Sequence, residues 1–207
     1  MNYQSEMQLE HFTPIYTEIH SVTEDGQSVL RVVNNQKLEE FDENTYAKLN
    51  KVLFHNGIIE AKLKGRLLPD APDFARGFVG IVYRVNEDDT AFESFYLRPA
   101  NGRSCQDSIR RAHGCQYFSY PGYTFSYFRD HGITEYEASA DIELDEWITL
   151  KAVIQDERAE FYLNGSQKPI LVVNQMKHGI GQKGAVGIYV DTGTEAFVAD
   201  FKVTCFD

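Results

Sequence analysis

No stretch of about 18 apolar residues runs anywhere in this chain, so no segment has the length and character of a membrane-crossing helix. Cysteine is scarce: Cys105, Cys115 and Cys205 are odd in number and show no CxxC spacing, which indicates neither a disulfide framework nor a zinc site. A Cys105 to Cys115 bridge closing one loop is the alternative to free thiols in a reducing compartment. Gly-rich phosphate loops, GxSxG elbows and HExxH helices are all missing. Basic charge is short, with 20 Lys and Arg against 31 Asp and Glu, a net charge of −11. That balance argues against nucleic acid and anionic membrane surfaces as partners, since both require a cationic face. The amino terminus, MNYQSEMQLEHFTPIY, has no basic start followed by an apolar run, so a cytoplasmic location is expected.

Helical periodicity is also scarce; short alternating runs rich in Val, Ile, Tyr, Phe and Thr recur instead between turn signals. Runs at Ile15 to Val22 and Ser28 to Val33 flank Glu24-Asp25-Gly26, whose Asp-Gly favours a tight hairpin turn. Strands are predicted at Gly57 to Leu67, Gly77 to Val85 and Glu146 to Gln155, the last with Ile148, Leu150, Ala152 and Ile154 inward. Arg158 to Leu163, Asn164-Gly165 and Pro169 to Val173 form a second hairpin signal, and Gly184 to Val190 and Glu195 to Cys205 close the chain. In the final run Phe197, Ala199, Phe201 and Val203 are expected on one face. The helical candidate is Asn44 to Lys51, with Asn44 as its cap, and an irregular loop is the alternative. A chain of 207 residues fits one domain spanning 1–207, because all-β units of about 200 to 250 residues are commonly single. The fold class is all-β: a jelly-roll sandwich of two antiparallel sheets.

The segment from Ala91 to Glu137 is the most unusual. It gathers Arg98, Arg103, Arg110, Arg111, Arg129, His113 and His131 among tyrosines and phenylalanines, with Asp107 and Asp130 the only carboxylates between Leu97 and Thr134. Guanidinium forks beside aromatic faces suit a polar, ring-shaped or anionic ligand. The plainer alternative is a surface excursion with a satellite core of its own. Alternation places Glu93, Phe95 and Leu97 on one face and Ser94, Tyr96 and Arg98 on the other. Glu93 is therefore expected to be a buried carboxylate paired with a nearby arginine. Tyr96 and Arg98 are candidates for a groove, with Arg84 joining from the polar face of its own strand. Arg110, Gln116, Tyr117, Tyr123 and Arg129 complete the candidate ligand-binding set. His113 is a candidate base near neutral pH or a hydrogen-bonding loop residue. Asp107 is expected to pair with Arg110 or Arg111. Asp191 and Glu195, flanking a Gly-containing turn, are the candidates for a structural Ca²⁺; no other metal or cofactor is indicated.

FHNGIIEAKLKG, GFVGIVYRV, FESFYLRPANGR, QYFSYPGY, WITLKAVIQDERAEFYLNG and KGAVGIYVDTGTEAFVADFKV together make the chain, from about Asn50 onward, resemble the concanavalin A-like lectin/glucanase superfamily, in particular laminin-G-like and DUF1080-like bacterial domains. The resemblance implies a curved jelly roll with carbohydrate bound on the concave sheet or at its rim. Retaining glucanases of that superfamily carry ExDxxE on one strand, placing two carboxylates about 5 to 5.5 Å apart. Here the comparable place reads Glu93-Ser94-Phe95-Tyr96-Leu97-Arg98, and the motif is absent. Three functions follow as expectations. The first is carbohydrate binding, with Tyr96, Tyr117 or Tyr123 stacking on sugar and Arg84, Arg98, Gln116 and Arg129 holding hydroxyls or a carboxylate. The second is a glycoside-processing enzyme using Glu93 or Asp107 with His113. The third is an interaction or homo-oligomerisation module docking through Tyr117 to Phe128.

Overall fold

The computed structural model describes residues 2–5, 7–34 and 41–206. In chain order the strands are β1 (Asn2–Ser5), β2 (Phe12–Ile15), β3 (Glu18–Glu24), β4 (Gln27–Asn34), β5 (Tyr46–Phe54), β6 (Gly57–Leu67), β7 (Val79–Val85), β8 (Phe92–Leu97), β9 (Cys115–Tyr120), β10 (Glu137–Ala138), β11 (Ile148–Gln155), β12 (Arg158–Leu163), β13 (Leu171–Val173), β14 (Gly184–Val190) and β15 (Thr194–Cys205). Two short helices interrupt them, α1 (Ser108–Arg111) and α2 (Phe125–Asp130). An eight-stranded antiparallel sheet runs β13-β12-β11-β6-β15-β4-β3, with β1 also on β15; a seven-stranded one runs β10-β9-β8-β7-β14-β5-β2. The architecture is the jelly-roll sandwich that alternation predicts.

Turn chemistry fixes the hairpins. Asp25 and Gly26 take φ 49° and 77° between paired Glu24 and Gln27, and Asn164 and Gly165 take 51° and 72° between β12 and the return to β13. Positive φ at both central residues matches the right-handed twist of the flanking strands. On β11, Ile148, Leu150, Ala152 and Ile154 are buried and the residues between them are not. Across the sandwich Phe95 of β8 stacks on Phe161 of β12, ring centroids 4.0 Å apart, which marks that face of each strand as the inter-sheet core.

Three expectations change. Asn44 to Lys51 is not a helix: Tyr46 pairs with Tyr189 on one side and Ile15 on the other, so β5 is an interior strand and cross-strand burial overrides local propensity. The face shared by Phe197, Ala199, Phe201 and Val203 is broken by a bulge between Val198 and Asp200. One extra residue inverts the alternation, so Ala196 and Val198 face inward, and Phe197 lies outside under the Arg66 guanidinium, 4.8 Å from its ring centroid. The polar face expected for Arg84 does not exist, because every residue of β7 is buried. Arg84 sits at φ 54°, where the pairing with β14 shifts register.

Candidate functional site

The site begins on the outer face of the seven-stranded sheet. Because Phe95 points into the sandwich, alternation turns Tyr96 outward, together with Phe92 on its own strand and Gln116 and Phe118 on β9. Tyr96, Phe118 and Tyr189 form a triangle of rings with centroids 5.3 to 5.7 Å apart. Gly80, opposite Tyr96, must lack a side chain: a Cβ there would lie 2.1 Å from Phe95 O and 2.8 Å from Tyr96 Cβ. This aromatic layer is buried, and connecting segments build a pocket over one end of it.

Phe41, Phe74, Phe78, Tyr96, Phe125 and Ile109 give the pocket apolar walls; Arg76, Arg98, Arg110, Arg129, Asn101 and His113 give it polar ones, around a volume of about 220 Å³. Phe41 meets Phe74 and Phe125 edge-on at 5.2 and 5.4 Å. Phe125 opens α2 and is fixed by its N–H, which donates to the Asp42 carboxylate. Asp107 caps α1 by accepting from the N–H groups of Ile109 and Arg110 at 2.9 and 3.2 Å, which brings those two side chains to the rim. Ile109 is 73% exposed there, a large apolar side chain left in water beside a cavity.

One buried carboxylate organises the cations. Glu137 of β10, opposite Gln116, accepts from Arg98 Nη1 at 2.7 Å and from Arg129 Nη2 at 3.0 Å. His113 Nδ1 lies 3.0 Å from its other oxygen, off the hydrogen-bonding direction. Arg98 also donates from Nη2 to Tyr96 Oη at 2.8 Å and to Gln116 Oε1. Burial alone would lower the Arg98 pKa, but Tyr96 and Glu137 hold it above its ordinary value, so this guanidinium stays charged. Arg76 differs: burial, then repulsion from Arg110 and Arg98, lowers its pKa.

Behind the wall lie two buried carboxyl groups. Desolvation, then the charge of Asp191, raises Asp42 to about 7. Asp191, raised by burial, accepts from Tyr189 Oη at 2.9 Å and from the Asp42 N–H at 3.3 Å. Among the described residues, the buried side-chain polar atoms without a hydrogen bond are Asp42 Oδ1, Asn101 Oδ1, His113 Nδ1, Gln116 Nε2 and Thr192 Oγ1. Asn101 and His113 line the pocket; Gln116 backs Tyr96 and Arg98; Asp42 adjoins Phe41 and holds Phe125; Thr192 follows Asp191. Such groups are rare in folded proteins, and two of the five, Asn101 Oδ1 and His113 Nδ1, belong to residues that line the cavity.

Of the candidates read from the sequence, Tyr96, Arg98, Arg110, His113 and Arg129 converge on this pocket, with Gln116 one layer behind. Arg84 does not: it is buried and donates to the carbonyls of His55, Gly179 and Asp156 and to Asn56 Oδ1. Tyr117 faces the other side of β9, where its hydroxyl donates to Glu93 at 2.6 Å and accepts from the Lys177 N–H at 2.7 Å. Tyr123 packs edge-on against Tyr127 outside the pocket.

Glu93 is buried as expected, but Tyr117, Ser119 and the His178 N–H take the place of the arginine partner. Glu93, Asp107 and His113 therefore do not share one cleft: the first lies on the inward face of β8 and the second serves as a helix cap. Within Tyr117 to Phe128, Phe125 walls the pocket and Phe128 packs on Tyr136 inside the chain. Glu195 pairs with Arg31 and Arg66, and no three His, Cys, Asp or Glu side chains among the described residues gather as a metal group. None of the three cysteines forms a disulfide, and burial pushes the Cys115 thiol up to about 12. Sequence reasoning missed Phe41, Asp42, Arg76, Asn101 and Glu137. The run Phe74-Ala75-Arg76-Gly77-Phe78 does carry the same mixture of arginine and phenylalanine that marks the 91–137 segment.

No protein-family model matches the chain, and no curated protein matches it. Solved structures do. The carbohydrate-binding module CBM66 from Bacillus subtilis superposes with a TM-score of 0.63 at 11% identity, over 94% of this chain and 96% of that one. A Bacillus subtilis protein of unknown function with a galectin-like fold gives 0.56 at 12%, over 96% and 91%. The exoplasmic/lumenal domain of VIP36, in a Ca²⁺/Man3GlcNAc-bound form, gives 0.55 at 11%, over 100% and 88%. The fold is thus the concanavalin A-like jelly roll; identities this low speak to architecture alone.

Proposed function

We propose that this protein is a carbohydrate-binding domain that takes a single sugar ring of a glycan into the pocket walled by Phe41, Phe74, Phe78 and Phe125. The carrying observation is a cavity with phenylalanine walls whose polar side includes Asn101, with its buried Oδ1 lacking a hydrogen bond, beside four guanidinium groups. A buried acceptor such as Asn101 Oδ1 costs about 1 to 3 kcal/mol if left without a partner, and a hydroxyl-rich ligand supplies one. Apolar walls that take a ring's flat faces, with a few polar groups fixing its orientation, are the usual composition of a small-molecule site. A cavity of about 220 Å³ falls below the ordinary 300 to 1,000 Å³ range, which favours one ring over a long chain. A carbohydrate-binding module and a Man3GlcNAc-bound domain among the structural neighbours support the same reading.

A glycan array followed by titration calorimetry tests it. Binding is expected, and Phe125→Ala, which removes one wall, is expected to weaken it roughly tenfold or more. Absence of binding across neutral and acidic glycans, or affinity unchanged in Phe125→Ala, would refute the proposal.

A further inference from the structure

Local charge at the pocket narrows the ligand class, an inference that rests on the sugar-binding reading above. Four guanidinium groups line the cavity. Glu137 takes two of them, Arg98 and Arg129. Asp107 stands 3.5 Å from Arg110 in an exposed pair that is at best loose. Asp42 does not add a full compensating charge, since its carboxyl titrates only near 7. No described carboxylate pairs with Arg76, whose Nη1 donates to the carbonyls of Asp73 and Ala75 at 2.6 and 2.7 Å. Its Nε and Nη2 donate to no described residue.

Arg76 and Arg110 also share a second, contiguous role. Both line an adjoining cavity of about 320 Å³ formed with Leu67, Leu68, Pro72, Ala100 and Asp73, whose carboxylate makes no ion pair with Arg76 and only partly offsets the repulsion from Arg110. The two side chains thus stand on the boundary between an aromatic pocket and an open polar hollow. Placing uncompensated guanidinium groups together is unfavourable unless an anion joins them, and a planar two-oxygen anion matches the guanidinium fork. Screening confines such effects to about 8 Å at physiological salt, so this local cationic excess outweighs the distant net charge of −11.

We infer that the pocket binds a uronic acid, a sugar ring bearing a carboxylate, with the ring between the phenylalanine walls and the carboxylate held by Arg76 and Arg110. Arg98 and Glu137 then act as positioning residues that hold Tyr96 and the floor in place, while Asn101 Oδ1 accepts from a ring hydroxyl. A sulfate ester on a neutral sugar is the competing anionic source. Its oxygens can also take bidentate guanidinium bonds, so the sulfated sugar is a separate arm of the test.

Calorimetry or ligand-observed NMR on the full chain decides this, using the methyl glycosides of glucuronic, galacturonic and mannuronic acid, their neutral hexose counterparts and a sulfated hexose. At least one uronide is expected to bind roughly ten- to a hundredfold more tightly than its neutral partner at low salt, the gap narrowing as salt rises. Arg110→Gln, on the exposed short helix, is expected to abolish that gap while leaving the melting temperature unchanged. Arg76→Gln should do the same and is read only after its fold is checked by circular dichroism.

Equal binding of uronide and neutral glycoside would overturn the inference and leave the sugar-binding reading standing. Tighter binding of the sulfated sugar, or a preference surviving in Arg110→Gln, would also overturn it. Silence from every sugar would remove both readings together.

Discussion

Asp42→Asn probes the electrostatics behind the pocket. Asp42 is fully buried, its Oδ2 accepts the Phe125 N–H and its Oδ1 has no hydrogen bond. Desolvation, then Asp191, raises its pKa to about 7, against 3.8 for an unperturbed aspartate. The folded chain therefore binds this proton more tightly than the unfolded chain. The contribution of the neutral carboxyl is fully present below about pH 4 and is lost as pH rises through about 7. A shift of about three pH units at 1.36 kcal/mol each corresponds to a cost on the order of 4 kcal/mol for folding with the charge in place. Asparagine is nearly isosteric, accepts the same N–H and tolerates the φ of 61° at this position. Denaturant titrations of both proteins at pH 5, 6, 7 and 8 isolate the effect, because the remaining ionisable groups are common to the two. With the neutral forms equally stable, the variant should exceed the parent by about 1.6 kcal/mol at pH 5, about 3 kcal/mol at pH 6 and about 4 kcal/mol at pH 7, with little further change at pH 8. A stability difference that stays flat across this range would refute the reasoning.

Two further outcomes separate scaffold from site. Glu137→Gln leaves the buried Arg98 without its carboxylate, and losing one partner of a buried pair costs about 3 to 5 kcal/mol, read as a lowered denaturation midpoint in urea. Arg84→Lys retains the charge but cannot reproduce a fork that reaches three carbonyls and Asn56. A loss of about 2 to 4 kcal/mol is expected by thermal or chemical unfolding, with sugar affinity unchanged wherever the variant is folded.

The fold was legible because its determinants are local. Asp25-Gly26 and Asn164-Gly165 announce their hairpins by residue type, and the alternation of Ile148 to Ile154 reports one buried face. Bulges are not local in the same sense. Whether Phe197 points inward depends on how β15 lies against β6, and Arg84 is turned by its register with β14. Likewise, Asn44 to Lys51 reads as a short helix until β2 and β14 lie on either side of it. Within the site, composition alone exposed the arginine-rich segment, and strand alternation selected Tyr96 and Arg98. Phe41, Arg76 and Glu137 join them through tertiary contact, which no spacing in the chain encodes.

Arginine content alone could not have ranked these side chains, and the hydrogen-bond donors each has left over do. Arg84 and Arg98 are the two most thoroughly bonded, and both are buried within the protein's own framework. Arg129 is half committed to Glu137. Arg76 and Arg110 line the cavity, and among the described residues no carboxylate pairs with both. A guanidinium saturated by carbonyls gains nothing from a ligand, whereas one crowded by like charge gains directly from an anion. The same residue type therefore serves as mortar at position 84 and as the binding contact at 76 and 110, and the difference lies wholly in what already surrounds it.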